Sequence, residues 1–541
     1  MTSIFYRPRN LHLGDIPNVE KLILEGCNDF VELQMPVENL KLEYLDLSHS
    51  KLRTLHLGST PNLCMLILEG CNDLVELQMP AESLKLEYLG LSHSQLKTIH
   101  LGSTPNLETL ILEECNDLVE LQMPAESLKL EVLDLSYSKL KTIHLGNTPN
   151  LERLILRGCN DLVELQMPAE SPKLKLVNLS HSKLKTIHLE NTPNLERLLL
   201  ESCNDLVDIQ MPAESLKLQY LELSHSKLRT LHLGSAPNLC TLILEGCNDL
   251  VELQMPAESL KLEYLGLSHS QLKTIHLGST PNLGKLILEE CNDLVELQMP
   301  TKSPKLKVLN LSHSKLRTLH LGSTLNLETL ILEGCNDLVE LQMPVENLKL
   351  EYLNLKTIHV GSTPNLEKLI LEECNDLVEL QMPAESPKLE VLNLSHSKLR
   401  TLHIGSTPNL ETLILEGCND LVELQMPVEN LKLELVNLSH SQLKTIHLEN
   451  TPNLERLVLG SCNDLVDIQM PVENLKLEYL NLSHSKLRTL HLGSTPNLEK
   501  LILEGCNDLV ELQMPAESLK LEELNLSHSK LRTLHLGSTP S

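Results

Sequence analysis

Apolar and polar positions along this chain follow a phrase that returns every 44 residues and divides into two halves. The first half, LEYLDLSHSKLRTLHL over residues 42–57, puts Leu42, Leu45, Leu47, Leu52, Leu55 and Leu57 at apolar positions. The second, LCMLILEGCNDLVELQM over residues 63–79, uses Leu63, Leu66, Leu68, Leu74, Leu77 and Met79, with the small Cys71 among them. Early in each half the side chains alternate with period two, the signature of a strand with one face in and one face out. The spacing predicts strands at Tyr44–Ser48 and Met65–Glu69. A second alternating run follows, Leu55-His56-Leu57 or Leu77-Gln78-Met79, with Leu and Met inward and His and Gln outward. The connecting segments, 58–62 and 80–83, are too short and too proline-rich for helices.

The repeat is fixed by a ladder of twelve cysteines running from Cys27 through Cys71 and Cys115 to Cys506. Every step is 44 residues except Cys335 to Cys374, which is 39. A fixed period of this size means stacked supersecondary units. Both halves read LxxLxL followed by a small polar residue or Cys, the leucine-rich-repeat signature. From Leu42 to Leu63 is 21 residues and from Leu63 to Leu86 is 23. The expected fold is therefore a β-rich leucine-rich-repeat solenoid with one parallel concave sheet, about 24 alternating 21- and 23-residue coils, and few helices. It is expected to run as a single solenoid over residues 1–541, on the order of 115 Å at ~4.8 Å per coil. One coil is damaged around residues 350–360: residues 353–359 read LNLKTIH where other units read LNLSHSKLKTIH. Loss of a core Leu and the polar ladder residue predicts a local kink or a collapsed coil.

The stretch LEYLNLSHSKLRTLHLGSTPNLEKLILEGCNDLVEL, Leu477 to Leu512, resembles the repeats of plant intracellular immune receptors. The likeness is to those that carry a Toll/interleukin-receptor domain and a nucleotide-binding domain before the repeats. Its most specific part is TPNLEKLILEGCNDLVEL, from Thr495. The resemblance implies sensing of a pathogen effector or a host protein, and contact with signalling domains in cis if these are encoded upstream. This chain has no GxxxxGK[ST] phosphate loop; its one Gly-Lys pair, Gly284-Lys285, is followed by Leu286. The array starts and ends mid-coil without polar caps, as expected of a receptor fragment or an array expanded by duplication. Exposed end coils also invite end-to-end self-association. Duplication is visible internally: PNLC recurs at Cys64 and Cys240, and CNDLVDIQMP begins at both Cys203 and Cys462.

Composition narrows the partners. With 73 acidic against 45 basic residues the formal charge is -28, which disfavours nucleic acid and anionic membranes. The start of the chain lacks the apolar core of a secretory signal, and no apolar run is long enough to span a bilayer. The expected compartment is the cytoplasm, or the nucleus. There is no Trp and only two Phe, which suits thin identical layers of Leu better than an irregular globular core.

Each candidate for chemistry has a bland competitor. Ladder cysteines two coils apart lie roughly 9–10 Å from one another, beyond the ~7 Å that a disulfide tolerates. They read as buried thiols in the asparagine-ladder position. Two histidine ladders, one through His49 and one through His56, have the same spacing, too wide for a shared zinc ion. No cofactor, metal or nucleophile–base set is expected, and hence no enzyme. Alternation of Lys51 and Arg53 with Asp73 and Glu76 predicts ion pairs between coils that fix register. The concave sheet is the candidate binding face. It offers Tyr44, Asp46, His49, Ile67 and Glu69, then Tyr88, His93, Ile111 and Glu113, then Ile155 and His181. Tyr220, His225, Ile243, Glu245, Tyr264, His269, Ile287 and Ile331 continue it. A line of Ile flanked by Tyr, His and Glu suits a protein partner.

Overall fold

The computed structural model describes residues 9–535 apart from 36–40, 59, 80–84, 102–103, 124–127, 168–170, 190–191, 211–216, 235, 256–260, 278–279, 301–303, 322–323, 325, 339, 343–356, 360–363, 427–431, 471–475, 493–494 and 515–519. The chain divides into two compact units, Met1–Leu262 and Glu263–Ser541. Each is a parallel β-solenoid. Among the described residues, eleven three-residue strands from Lys21–Ile23 to Thr241–Ile243 form the main sheet of the first unit, and twelve from Tyr264–Gly266 to Glu523–Asn525 that of the second. The register alternates between a shorter and a longer step, as the Leu spacing predicts: Tyr44 pairs with Met65 across the shorter one, and Met65 with Tyr88 across the longer. Among the described residues the one helical segment is a single 3-10 turn, Leu13–Asp15.

The strands stop two residues earlier than expected, at Asp46 and Ile67. The reason is local. Asp46 Oδ1 accepts the Ser48 amide at 3.0 Å and the Ser48 hydroxyl at 2.7 Å, which folds the chain out of the extended state. His49 then takes a left-handed conformation, φ 59. Ladder hydrogen bonds nevertheless continue through the turn, from Leu47 N–H to Ile67 O and from His49 N–H to Glu69 O.

The core is almost pure Leu. Leu45, Leu47, Leu52, Leu55, Leu57, Leu66 and Leu68 have no exposed surface. Each contributes roughly 2 kcal/mol by leaving water. The second runs form short strands of their own; Thr54–His56, for instance, pairs with Glu76–Gln78.

The damaged coil lies largely outside the described residues, but its flanks show how the sheet accommodates it. Thr329–Ile331 pairs directly with Lys368–Ile370, so the main sheet passes over that coil. The second run keeps its strand, Thr357–His359, between Glu340–Gln342 and Glu379–Gln381. Among the described residues the main sheets hold 23 strands, where about 24 coils were expected.

Candidate binding face

Within the main sheets the strands flanked on both sides bury their middle side chain in the core and turn their first and third toward the open face. In Met65–Ile67, Leu66 is buried while Met65 and Ile67 are half-buried on the open face. Register then builds two outward columns. One carries Lys21, Tyr44, Met65, Tyr88 and Thr109 in consecutive strands; the other carries Ile23, Asp46, Ile67, Gly90 and Ile111. The expected isoleucines Ile67, Ile111, Ile155 and Ile243 lie on the open face of the first unit's main sheet, and Ile287 and Ile331 on that of the second; all are half-buried. They do not form an unbroken stripe, because the shorter coil between each pair supplies Asp, Gly, Asn or Glu at the same height. The skipped coil makes an exception, bringing Ile331 directly beside Ile370.

Two groups of predicted residues play other parts. Asp46 is 8% exposed, and its carboxylate is committed to the Ser48 turn, so it offers nothing to a partner. Asn178 and Asn310 hold the equivalent serine amides in the same way. The histidines expected on the strand, His49, His93, His181, His225 and His269, lie beyond it in left-handed turns, with φ from 59 to 65. Turn geometry explains the residue type, since His is among the few side chains enriched there. His93 Nδ1 is 3.0 Å from the Glu114 carboxylate, and His313 Nε2 is 3.8 Å from those of Glu290 and Glu333.

The tyrosines form the best-defined polar contacts on the face. The Tyr88 hydroxyl donates to Glu69 Oε1 at 3.1 Å. Burial first, and then the Glu69 carboxylate, push this phenol up to about 12. Lys21 Nζ sits 4.2 Å from the centre of the Tyr44 ring, Arg197 lies 5.1 Å from that of Tyr220, and Lys285 lies 5.4 Å from that of Tyr264. These cations are not among the residues that the sequence pattern singles out. Their signal is a separation from the tyrosine equal to one register step of the sheet.

Interleaved ion pairs are present, with a change of partner. Lys139 pairs with Asp117 at 3.6 Å and Lys486 with Asp464 at 2.8 Å, each lysine reaching the aspartate of the coil before. The glutamate of the second run pairs with histidine instead of arginine: His56 Nε2 is 3.4 Å from Glu76 Oε1. The Arg53 backbone carbonyl accepts the Val75 and Glu76 amides.

The ladder cysteines from Cys71 to Cys506 are buried as expected, while Cys27 is half-buried. Cys71 Sγ donates to Leu47 O at 3.2 Å and lies 3.4 Å from Ser50 Oγ. Desolvation raises the thiol, so it stays protonated. Among the described residues no group of three or more His, Cys, Asp or Glu is arranged to hold a metal ion, and no helix is long and apolar enough to cross a membrane.

Stacked LxxLxL coils with a parallel sheet, a buried polar ladder and an open strand face define a leucine-rich-repeat scaffold. The model of the BspA-type leucine-rich repeat region matches in six copies over residues 59–162, 136–242 and 241–339, and the chain belongs to that family. No curated protein matches it in sequence. Among solved structures it is similar to YopM from Yersinia enterocolitica WA-314, at 21% identity over 95% of this chain and 91% of that one, with a TM-score of 0.61. That likeness is one of fold. Weaker similarity extends to the functional domain of InlJ from Listeria monocytogenes, which includes a cysteine ladder (15% identity, 83% of this chain, 74% of that one, TM-score 0.40). It extends also to the ectodomain of the plant membrane receptor kinase GASSHO1/SCHENGEN3 from Arabidopsis thaliana (17% identity, 96% and 93% covered, TM-score 0.27).

Proposed function

We propose that this chain is a non-catalytic protein-recognition scaffold that binds a protein partner on the open face of its main sheets. The observation that supports this most is the make-up of that face. Half-buried Tyr and Ile side chains stand beside stacked Lys and Arg and beside Glu69-type carboxylates. Aromatic and aliphatic anchors next to charged groups suit a protein surface better than a small molecule. The contacting residues would be Tyr44, Tyr88 and Tyr220 with Ile67, Ile111, Ile155 and Ile243 on the first unit, where Glu69, Glu113 and Glu245 would form the charged margin, and Tyr264, Ile287 and Ile331 on the second. The finer reading is the sensing region of a plant disease-resistance receptor in the cytoplasm or nucleus. It rests on the phrase from Thr495 to Leu512, and its partner would be a pathogen effector, a host protein or the receptor's own signalling domains.

A second reading, a product of repeat expansion without a dedicated ligand, is favoured by the duplicated variants around Cys64 and Cys240. The two separate experimentally. Candidate partners captured from plant extract are purified and titrated by calorimetry against the wild type and an Ile331→Lys/Ile370→Lys variant of unchanged melting temperature. Recognition predicts saturable binding that weakens at least about 10-fold in the variant, the loss of a central apolar anchor. Absence of any saturable binder supports the expansion reading.

A further inference from the structure

In intact coils from Cys71 onward each ladder cysteine rests on a serine from the coil before it. Cys115 Sγ lies 3.3 Å from Ser94 Oγ, Cys291 Sγ 3.4 Å from Ser270 Oγ and Cys506 Sγ 3.4 Å from Ser485 Oγ. Each of these thiols also donates, at 3.2 Å, to the carbonyl three residues before that serine: Leu91, Leu267 or Leu482. A serine thus always separates one ladder cysteine from the next.

The skipped coil breaks this alternation. Beyond the pairing of Ile331 with Ile370, Leu332 N–H donates to Ile370 O and Gly334 N–H to Glu372 O, both at 2.8 Å. Cys374 Sγ donates at 3.1 Å to Leu332 O, the contact its counterparts make. Three residues after Leu332, where the serine should stand, is Cys335, whose own amide donates to the same carbonyl at 3.2 Å. Two thiols therefore occupy the successive positions that elsewhere hold a hydroxyl and a thiol, with the Cys335 thiol donating to Leu311 O at 3.1 Å and lying 3.5 Å from Ser314 Oγ. Stacked coils at ~4.8 Å also fall inside the 4.4–6.8 Å range of Cα separations in disulfides. As residues, Cys335 and Cys374 are 4% and 5% exposed, where Cys71, Cys115 and Cys418 have no exposed surface.

We propose that Cys335 and Cys374 are a redox-active pair, oxidised by hydrogen peroxide to a disulfide across the point where the sheet skips a coil. One thiolate attacks a peroxide oxygen; the O–O bond breaks, giving a sulfenic acid and hydroxide, which takes up a proton as water. The second thiolate attacks the sulfenic sulfur, forming the S–S bond and expelling hydroxide, protonated to a second water. Two thiols are oxidised and one peroxide is reduced. Burial raises both thiols, Cys374 to about 12. The rate should therefore climb with pH across the neutral and alkaline range.

The test is non-reducing peptide mapping of the full chain after peroxide treatment at pH 7 and pH 9, with remaining thiols alkylated in denaturant. The expected product is one cross-linked peptide pair containing Cys335 and Cys374, two hydrogens lighter, formed faster at pH 9 and released by dithiothreitol. Cys71 and Cys115, separated by Ser94, should stay alkylatable. Cys374→Ser places a hydroxyl beside a ladder thiol as intact coils do; it should keep the wild-type circular dichroism and lose the cross-link. Sulfinic or sulfonic acids on Cys335 or Cys374 without a cross-link, cross-links spread along the ladder, or no oxidation at either pH would overturn the proposal.

Discussion

The thiol of Cys115 lies 3.3 Å from the Ser94 hydroxyl and 3.2 Å from the Leu91 carbonyl oxygen, with none of its surface exposed. It ties a longer coil to the shorter one before it. Cys115→Ala removes both contacts, leaves a small void and strands the Ser94 hydroxyl. The expected loss is about 1–2 kcal/mol. A repeat array does not unfold as one unit, so the measurement is native-state hydrogen exchange at the Leu112 and Leu118 amides. Cys115→Ser should lose less, because its hydroxyl can still bond. Equal losses for both variants would mean that volume alone matters there.

Gly70 and His49 face each other across consecutive coils at equivalent turn positions. Gly70 has φ +68, and a Cβ built there would meet the His49 ring. The ring is the mobile end of its side chain, and the equivalent Glu114, at φ 57, is accommodated with His93 turned to its carboxylate. Gly70→Ala should therefore lose about 1 kcal/mol, mostly from the left-handed backbone. His49→Ala should recover only a small part of it in the double variant, as read by exchange at the His49 and Gly70 amides.

The leucine pattern was legible because every inward Leu occupies a layer with one solution, and period-two alternation identifies it without help from distant residues. The Cys spacing was equally plain. Asp46 misled because a polar residue at an outward strand position looks available; its commitment to the Ser48 amide depends on a turn that the alternation hides. The stacking of Lys21 on Tyr44 was hidden because the two lie a whole coil apart in the chain, and it becomes visible only once the register is applied. The bypass from Ile331 to Ile370 is not evident from the five-residue deletion, which takes SHSKL from between the two runs and leaves the residues of both in the sequence. Sequence shows the loss, while pairing decides that the second run survives.

Glu222 fills a position where other shorter coils use Asp, Asn or Gly. Its Oε1 accepts the Ser224 amide at 3.0 Å, and it is 9% exposed. Burial raises this carboxyl above its ordinary value of 4.5, and Glu201 and Glu245 add to the rise. A raised folded value means that the favourable contribution is complete below 4.5 and is lost as pH climbs through the folded value. Glu222→Asn, which can accept the same bond as Asn178 does, should then be more stable than wild type at pH 7 by about 0.5 kcal/mol, the solvent-screened end of the scale. That advantage should vanish near pH 4. Exchange at the Ser224 amide at the two pH values checks it; an advantage independent of pH would remove the charge from the explanation.

Thr280 and Thr451 occupy the same place in their coils but differ in what their hydroxyls do. Thr451 Oγ1 donates to Leu448 O at 2.8 Å, and its amide donates to the same carbonyl at 3.1 Å. Thr280 is fully buried, and its Oγ1 has no partner among the described residues. The residues before them differ in sequence: Glu449-Asn450 precedes Thr451, whereas Gly278-Ser279 precedes Thr280. A buried hydroxyl without a bond has already lost its water, so replacing it by a methyl of the same shape removes a penalty. Thr280→Val should gain about 1 kcal/mol and Thr451→Val should lose about the same. Exchange at the Leu283 and Leu454 amides, which donate to the carbonyls of these threonines, reads the two effects separately. Opposite signs are expected. If both valines destabilise, the Thr280 hydroxyl has a partner in solution, and the two coils are equivalent after all.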